Sequence, residues 1–392
     1  MNPITSQPVD RRRVLALGGL TAAAVPLAGL QDTPAAGDYD RYLRQLAAAG
    51  RFSGVVLLSH RGRTVLSRAY GMADEQRRIP NQPGTAFSLS SAGKPFCAVA
   101  VLQLAQRGKL QLDDPIGKHL SGFATEVAEQ VTIHHLLSGC SGLVSPPEEV
   151  RRVFHSRDEV HEFFVRRARQ ARLVGVPWVP STEHAEAEAI IPPLVVEAVS
   201  GMTYWDYVQK HIFDRCGMTG SGFFTRDQWL RDPHLAHPYM QVADGRVVDA
   251  LHHLDQGSPF DYVLGKNPGR AFIDAPGDGG FATAPDLVRF VRALGDGTLL
   301  DRPWADVLTA ARIPHGSGSF AGYGLVADIV GGQWMFQRAG GNPGVGANWS
   351  SYPDTGWTGV ILANRDGASL IDVLAQETLA VTGVWTGGGA GG

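Results

Sequence analysis

From Phe96 to Leu104 the chain reads Phe-Cys-Ala-Val-Ala-Val-Leu-Gln-Leu, and only Gln103 in that run is strongly polar. A helix that is apolar all round must be enclosed by other elements, so any fold for this chain has to wrap around this segment. Pro95 has no amide hydrogen and fits a first helical turn, and Gly108 offers a stop. Ser91 and Lys94 lie just upstream, three residues apart and therefore on one helix face. A hydroxyl becomes a useful nucleophile when a neighbouring base takes its proton. Lys94 can be that base only when neutral; burial and the positive end of the helix dipole push its pKa below the free value of about 10.4. The same helix end supplies backbone N–H groups for a developing oxyanion. A plain capping role for Ser91 is the alternative.

The surrounding blocks resemble the serine β-lactamase and penicillin-binding-protein-like superfamily, closest to its class C and esterase branch. Phe87-Ser-Leu-Ser-Ser91-Ala-Gly-Lys94 is followed by Gly108-Lys-Leu-Gln-Leu-Asp-Asp-Pro-Ile116 and Val131-Thr-Ile-His-His-Leu-Leu-Ser-Gly-Cys-Ser-Gly-Leu143. Val195-Val-Glu-Ala-Val-Ser-Gly201, Phe213-Asp-Arg-Cys-Gly-Met218, Gly279-Gly-Phe-Ala-Thr-Ala-Pro-Asp-Leu287 and Tyr323-Gly-Leu325 continue the order. Gly340-Gly-Asn-Pro-Gly344 and Val360-Ile-Leu-Ala-Asn364 close it. Ser91 and Lys94 match the family's first motif residue for residue. Two departures stand out. The usual Tyr-x-Asn is replaced, on a gap-free count back from Ser200-Gly201, by His184-Ala185-Glu186, and the usual third-motif lysine or histidine by Arg338.

The resemblance implies a proton-relay position at His184, and a histidine titrates near neutrality. Glu186, or Glu183 or Glu188, would orient it; a surface histidine among acidic neighbours is the alternative. Arg338 suits a substrate carboxylate but accepts no proton; an edge-strand charge that discourages aggregation explains it too. By resemblance the Gly341 N–H is the second oxyanion donor, although a tight turn accounts for these glycines equally well. His134-His135 and His252-His253 match neither of the common zinc patterns, so no metal and no cofactor is expected. There is no G-x-S-x-G, which excludes an α/β-hydrolase elbow.

The resemblance and the pattern agree on an α/β (α+β) fold: one antiparallel sheet assembled from both chain ends, flanked by helices, with an inserted mainly helical region. Spacing predicts a helix over 40–49, a hairpin over 52–59 and 64–70, strands at 334–338, 346–350 and 358–362, and a helix over 368–380. Residues 98–199 read as helical, with Pro177 to Pro180 and Pro192-Pro193 marking loops. Residues 225–278 read as a long irregular insertion over the site. The three cysteines are far apart and imply no disulfide framework.

Asp10-Arg-Arg-Arg13 ahead of the apolar run Val14 to Leu30 resembles a twin-arginine export signal over residues 1–30; a retained membrane anchor is the alternative. The expected organisation is therefore this signal, a hydrolase domain over 31–386 and a disordered glycine-rich tail over 387–392. The chain of 392 residues carries a net charge of −3, and no basic run lies beyond the signal, so nucleic acid is not an expected partner. The expectation is an exported, periplasmic or secreted bacterial serine hydrolase that acts on a small ester or amide through an acyl-enzyme on Ser91. An acyltransferase of the same fold, or a binding protein that has lost turnover, is the alternative. Nothing in the sequence bears on oligomeric state.

Overall fold

The computed structural model describes residues 34–179, 185–261, 263–367 and 369–384. The export-signal, tail, Glu183 and His184 expectations lie outside these residues. Five of the helices are α1 (Pro34–Ala48), α2 (Lys94–Gln106), α3 (Glu186–Ser200), α4 (Ala284–Gly295) and α5 (Leu370–Thr382). An eight-stranded antiparallel sheet comprises β1 (Gly54–His60), β2 (Arg63–Tyr70), β3 (Ile313–Gly316), β4 (Ser319–Ala321), β5 (Val326–Val330), β6 (Gln333–Asn342), β7 (Val345–Tyr352) and β8 (Trp357–Ala363). Its spatial order is β3-β4-β5-β6-β7-β8-β1-β2. The two chain ends meet where β1 pairs with β8, in register from Gly54 opposite Ala363 to His60 opposite Trp357.

Both faces of this sheet are covered, which explains the unbroken apolar run at Val55-Val-Leu-Leu58. Alternate side chains of a strand point to opposite faces. Val56 and Leu58 pack with Tyr39 and Leu43 of α1 and Val373 of α5, while Val55 and Leu57 join the main core with Phe96 and Val99 of α2. Every residue from Pro95 to Ala105 is buried. Phe96 meets the rings of Phe213 and Phe290 edge-on at 5.0 and 4.8 Å between centroids. The lone polar residue of α2 is satisfied: the Gln103 amide donates to the carbonyls of His211 and Leu299 and accepts from the Tyr207 hydroxyl. A buried amide without those partners would cost about 1–3 kcal/mol. Gly108 ends the helix at φ +66°.

Three expectations are corrected. Pro192 and Pro193 do not mark a loop; both lie inside α3. Residues 225–278 are not uniformly irregular, for they hold a helix at Arg226–Arg231 and a hairpin of Tyr239–Gln241 with Val247–Asp249. Strands β3, β4 and β5 were not anticipated, and they extend the sheet beyond β6. Cys97, Cys140 and Cys216 are free thiols. Among the described residues no helix is long and apolar enough to cross a membrane.

Candidate active site

Ser91 sits in a single 3-10 turn, Ser90–Gly93, that feeds directly into α2 at Lys94. The helix therefore starts two residues later than a capping Ser91 would require, and its N-cap position is Gly93 with no side-chain cap. The turn is shaped by its predecessor. Ser90 has φ +48°, a left-handed conformation that costs a non-glycine residue roughly 1 kcal/mol or more. Three contacts hold it there. The Ser90 hydroxyl donates to the Gly341 carbonyl at 2.9 Å, the Asn342 side chain donates to the same hydroxyl at 3.2 Å, and Gly279 N–H donates to the Ser90 carbonyl at 3.0 Å.

Strand β6 crosses this turn at van der Waals contact. A Cβ on Gly340 would fall 2.1 Å from the Leu89 carbonyl oxygen and 2.4 Å from the Ala92 nitrogen, so only glycine permits the crossing. The tight-turn explanation for the glycines applies instead to Gly344, at φ +70°. Gly341 has ordinary space around its Cα, the nearest atom to a Cβ being 3.6 Å away. Arg338, two residues before Gly340, donates from Nε to the Ser91 carbonyl at 3.1 Å. The first and third motifs therefore meet here. From β7, the buried Trp349 indole N–H donates to the Ala92 carbonyl at 3.0 Å and pins the turn from beneath.

Lys94 is held as a depressed-pKa amine. Burial lowers its pKa most, and the Arg338 and Lys266 charges lower it further, against the opposite pull of Asp278 and Glu188. Arg338 is lowered as well, by burial, with Asp278 opposing. Lys94, Arg338 and Glu188 line a cavity of about 230 Å³ whose other walls include Leu136, Pro192 and Leu325. Glu188 accepts from both the backbone N–H (2.9 Å) and the hydroxyl (2.6 Å) of Ser141, and burial still raises its pKa. Ser90, Asn342, Asp278 and Glu186 line a second, more polar cavity of about 210 Å³. Ser90 of the Ser91 turn thus lines the second cavity, and Lys94, just after that turn, lines the first.

Of the acidic residues considered near the second motif, Glu188 shares the cavity of Lys94. Glu186 lies in the other cavity, bound to the Arg167 guanidinium at 2.6 Å, and burial raises its pKa against that pairing. His184 lies outside the described residues. Sequence reasoning missed Asp278, whose charge acts on both Lys94 and Arg338. Its signal was the Gly277-Asp-Gly-Gly280 run immediately ahead of the Phe281 block. Asp274 was missed too: it is half-buried in the lining of the second cavity beside Asp278, accepts from Gly280 N–H at 2.7 Å, and is raised by burial to about 7.

This geometry brings a hydroxyl, a depressed-pKa amine and a crossing glycine strand to one turn, an arrangement suited to nucleophilic acyl transfer. Comparison with known proteins agrees with it. The chain is 27% identical over 259 residues to the putative penicillin-binding protein PbpX of Bacillus subtilis (strain 168), an alignment covering 66% of this chain and 58% of that protein. It is 38% identical over 109 residues to esterase EstB of Burkholderia gladioli, covering 27% of each. The chain thus spans less than two thirds of the length of these relatives. Its fold superposes on the penicillin-binding protein of Bacillus halodurans with a TM-score of 0.72 at 27% identity, over 85% of this chain and 97% of the other. The family profile described as Beta-lactamase matches residues 39–381, and the chain belongs to that family.

Proposed function

We propose that this protein is an exported serine hydrolase that cleaves a small ester or amide through an acyl-enzyme on Ser91. The observation that carries the reading is the Ser91 turn itself. Its hydroxyl-bearing residue lies one turn before a half-buried lysine whose pKa is depressed, and β6 is pressed against its backbone at Gly340.

In this reading neutral Lys94 takes the Ser91 Oγ proton as Oγ attacks the substrate carbonyl. The N–H groups of Ser91 and Gly341 stabilise the oxyanion. The proton then passes from Lys94 to the leaving alcohol or amine, either directly or through His184. Water, deprotonated in the same way, releases the acid and regenerates Ser91. Arg338, anchored on the Ser91 carbonyl, would orient a substrate carboxylate in the cavity it shares with Lys94. That EstB carries the name of an esterase supports the ester reading, and the Arg11-Arg12 signal supports export.

Intact-mass analysis after exposure to a fluorophosphonate and to a penicillin tests the proposal. One adduct located on Ser91, and none on Ser91→Ala, is expected. Full labelling of the alanine variant, or no adduct with either probe, would overturn it.

A further inference from the structure

Away from the Ser91 turn, two histidines converge on one carboxylate oxygen. The hairpin of residues 239–249 is flanked by His237 on one side and His252 on the other. His237 Nδ1 lies 2.8 Å from Asp249 Oδ2, and His252 Nδ1 lies 2.9 Å from that same oxygen. The rings stand 5.9 Å apart between centroids, tilted by 38°. The other Asp249 oxygen accepts from Leu251 N–H at 2.9 Å, which aims Oδ2 at the two rings. The three donor atoms lie within 4.8 Å of one another.

With His237 neutral, hydrogen bonding alone leaves this group poorly satisfied. His237 is fully buried, and its Nε2 has no hydrogen-bond partner among the described residues. If Nδ1 carries the proton toward Asp249, Nε2 of the neutral ring presents a lone pair toward Asp74, whose Oδ2 stands 3.8 Å away. Two acceptors then face each other in a buried place, which is unfavourable. A cation at Nδ1 reverses the tautomer: Nδ1 gives its lone pair to the ion, and Nε2–H points at the Asp74 carboxylate. That is the carboxylate–histidine–metal arrangement of outer-sphere support. Asp74 is itself fixed by Arg77, through Nε at 2.5 Å and the backbone N–H at 2.8 Å.

We propose that His237 Nδ1, His252 Nδ1 and Asp249 Oδ2 form a site for a divalent transition-metal ion of the zinc type, with Asp74 as its outer-sphere carboxylate. Two imidazoles and one carboxylate are a borderline donor set that suits zinc, cobalt or nickel rather than calcium or magnesium. Metal–ligand bonds of about 2.0–2.2 Å place tetrahedral donors roughly 3.3 Å apart, so each histidine nitrogen needs to draw back from Asp249 Oδ2 by only about half an ångström. His252, with a side chain 44% exposed, can make that movement and leaves the fourth position to water.

The position in the fold indicates what the ion would do. His237 N–H donates to Ala73, and the Asn364 side chain donates to the His237 carbonyl. A Cβ on Gly344 would fall 2.7 Å from the Tyr239 backbone, so the hairpin backs the β6–β7 turn beyond Gly341. An ion here ties residues 237–252 together behind the strand that crosses Ser91. Its role is structural, and the acyl-transfer chemistry does not pass through it.

The test uses the full chain, stripped with chelator and titrated with Zn(II) by calorimetry, with Co(II) by visible absorption and with either by native mass spectrometry. One ion per chain, tetrahedral Co(II) bands and a melting temperature raised by several degrees are expected. Asp249→Asn and the exposed-side variant His252→Ala should each weaken binding at least tenfold, and Asp74→Asn about 10–100-fold. Absence of saturable binding at 100 µM of either ion would overturn the proposal. So would unchanged stoichiometry and affinity in both Asp249→Asn and His252→Ala, which would assign the ion elsewhere.

Discussion

A lysine acts as a base only in its neutral form, and each unit by which its pKa falls raises the neutral fraction near pH 7 about tenfold. Burial, Arg338 and Lys266 depress Lys94, while Asp278 and Glu188 oppose them. The rate of acylation should therefore rise with pH through a midpoint below the ordinary lysine value, as read from the pH dependence of probe labelling. Asp278→Asn removes a charge that favours the ammonium and should move that midpoint to lower pH; an upward move would contradict the assignment. Lys94→Arg keeps the charge without a usable base and should slow acylation by about 10²–10⁴-fold. A second prediction separates neighbouring glycines. Gly340→Ala drives a Cβ into the Leu89 and Ala92 backbone and should cost about 1–3 kcal/mol in denaturant unfolding, along with most labelling. Gly341→Ala, with 3.6 Å of clearance, should fold normally. At this scale the placement of Ser91 just ahead of Lys94 at the start of α2 was legible because it depends on residue type and short spacing, while Arg338 came to the Ser91 turn only through the family resemblance. Ser90 was not, because its φ of +48° is imposed by Gly341, Asn342 and Gly279 and leaves no mark on a serine. Nor was the pairing of Glu188 with the Lys94 cavity, which follows from how α3 packs.

The prolines of α3 show why element boundaries were harder to read. A proline inside a helix removes the hydrogen bond to the carbonyl four residues back, so Pro193 frees the carbonyl of Ala189. Gly277 comes close to that place: a Cβ there would lie 1.9 Å from the Ala189 oxygen and 2.4 Å from the Pro193 ring. The notch in α3 thus receives the loop that carries Asp278, and a local propensity against helix is overridden by tertiary packing. Gly277 also has φ +87°, so Gly277→Ala is opposed twice, by conformation and by contact. It should destabilise the fold by more than about 1 kcal/mol and displace Asp278, lowering the midpoint of the acylation profile as Asp278→Asn does. An unchanged melting temperature and profile would show that the loop is seated by something else. Strands β3 and β4 escaped prediction for a different reason. They lie at the sheet's edge with no fully buried side chain, so no apolar alternation marks them, whereas β1 and β8, covered on both faces, were readable from hydrophobicity alone.

Joining the first and last strands of one sheet makes the whole molecule depend on the layer formed by α1 and α5, and that layer contains a buried acid. Glu377 of α5 is fully buried against the sheet. One of its oxygens accepts from the Ser350 hydroxyl and the other has no partner among the described residues. Gly359 of β8 leaves it room, since a Cβ there would fall 2.1 Å from the carboxyl. Burial raises the Glu377 pKa from 4.5 to about 7, so the folded protein holds a proton that the unfolded chain releases near pH 4.5. The sign follows from linkage. Between those two values the native state binds more protons than the unfolded state, and stability falls as pH rises. The contribution is complete below about pH 4.5 and lost above about pH 7, and a shift of this size corresponds to roughly 3 kcal/mol. Asp274 is shifted the same way, so the diagnostic quantity is a difference between variants and not the wild-type slope. Glu377→Gln keeps the shape and the Ser350 acceptor but cannot ionise. Its unfolding free energy, measured in urea from pH 5 to pH 8, should match or fall slightly below the wild type at pH 5 and exceed it at pH 8. Parallel curves across that range would mean that Glu377 is hydrated or paired in solution and that the terminal layer carries no buried charge.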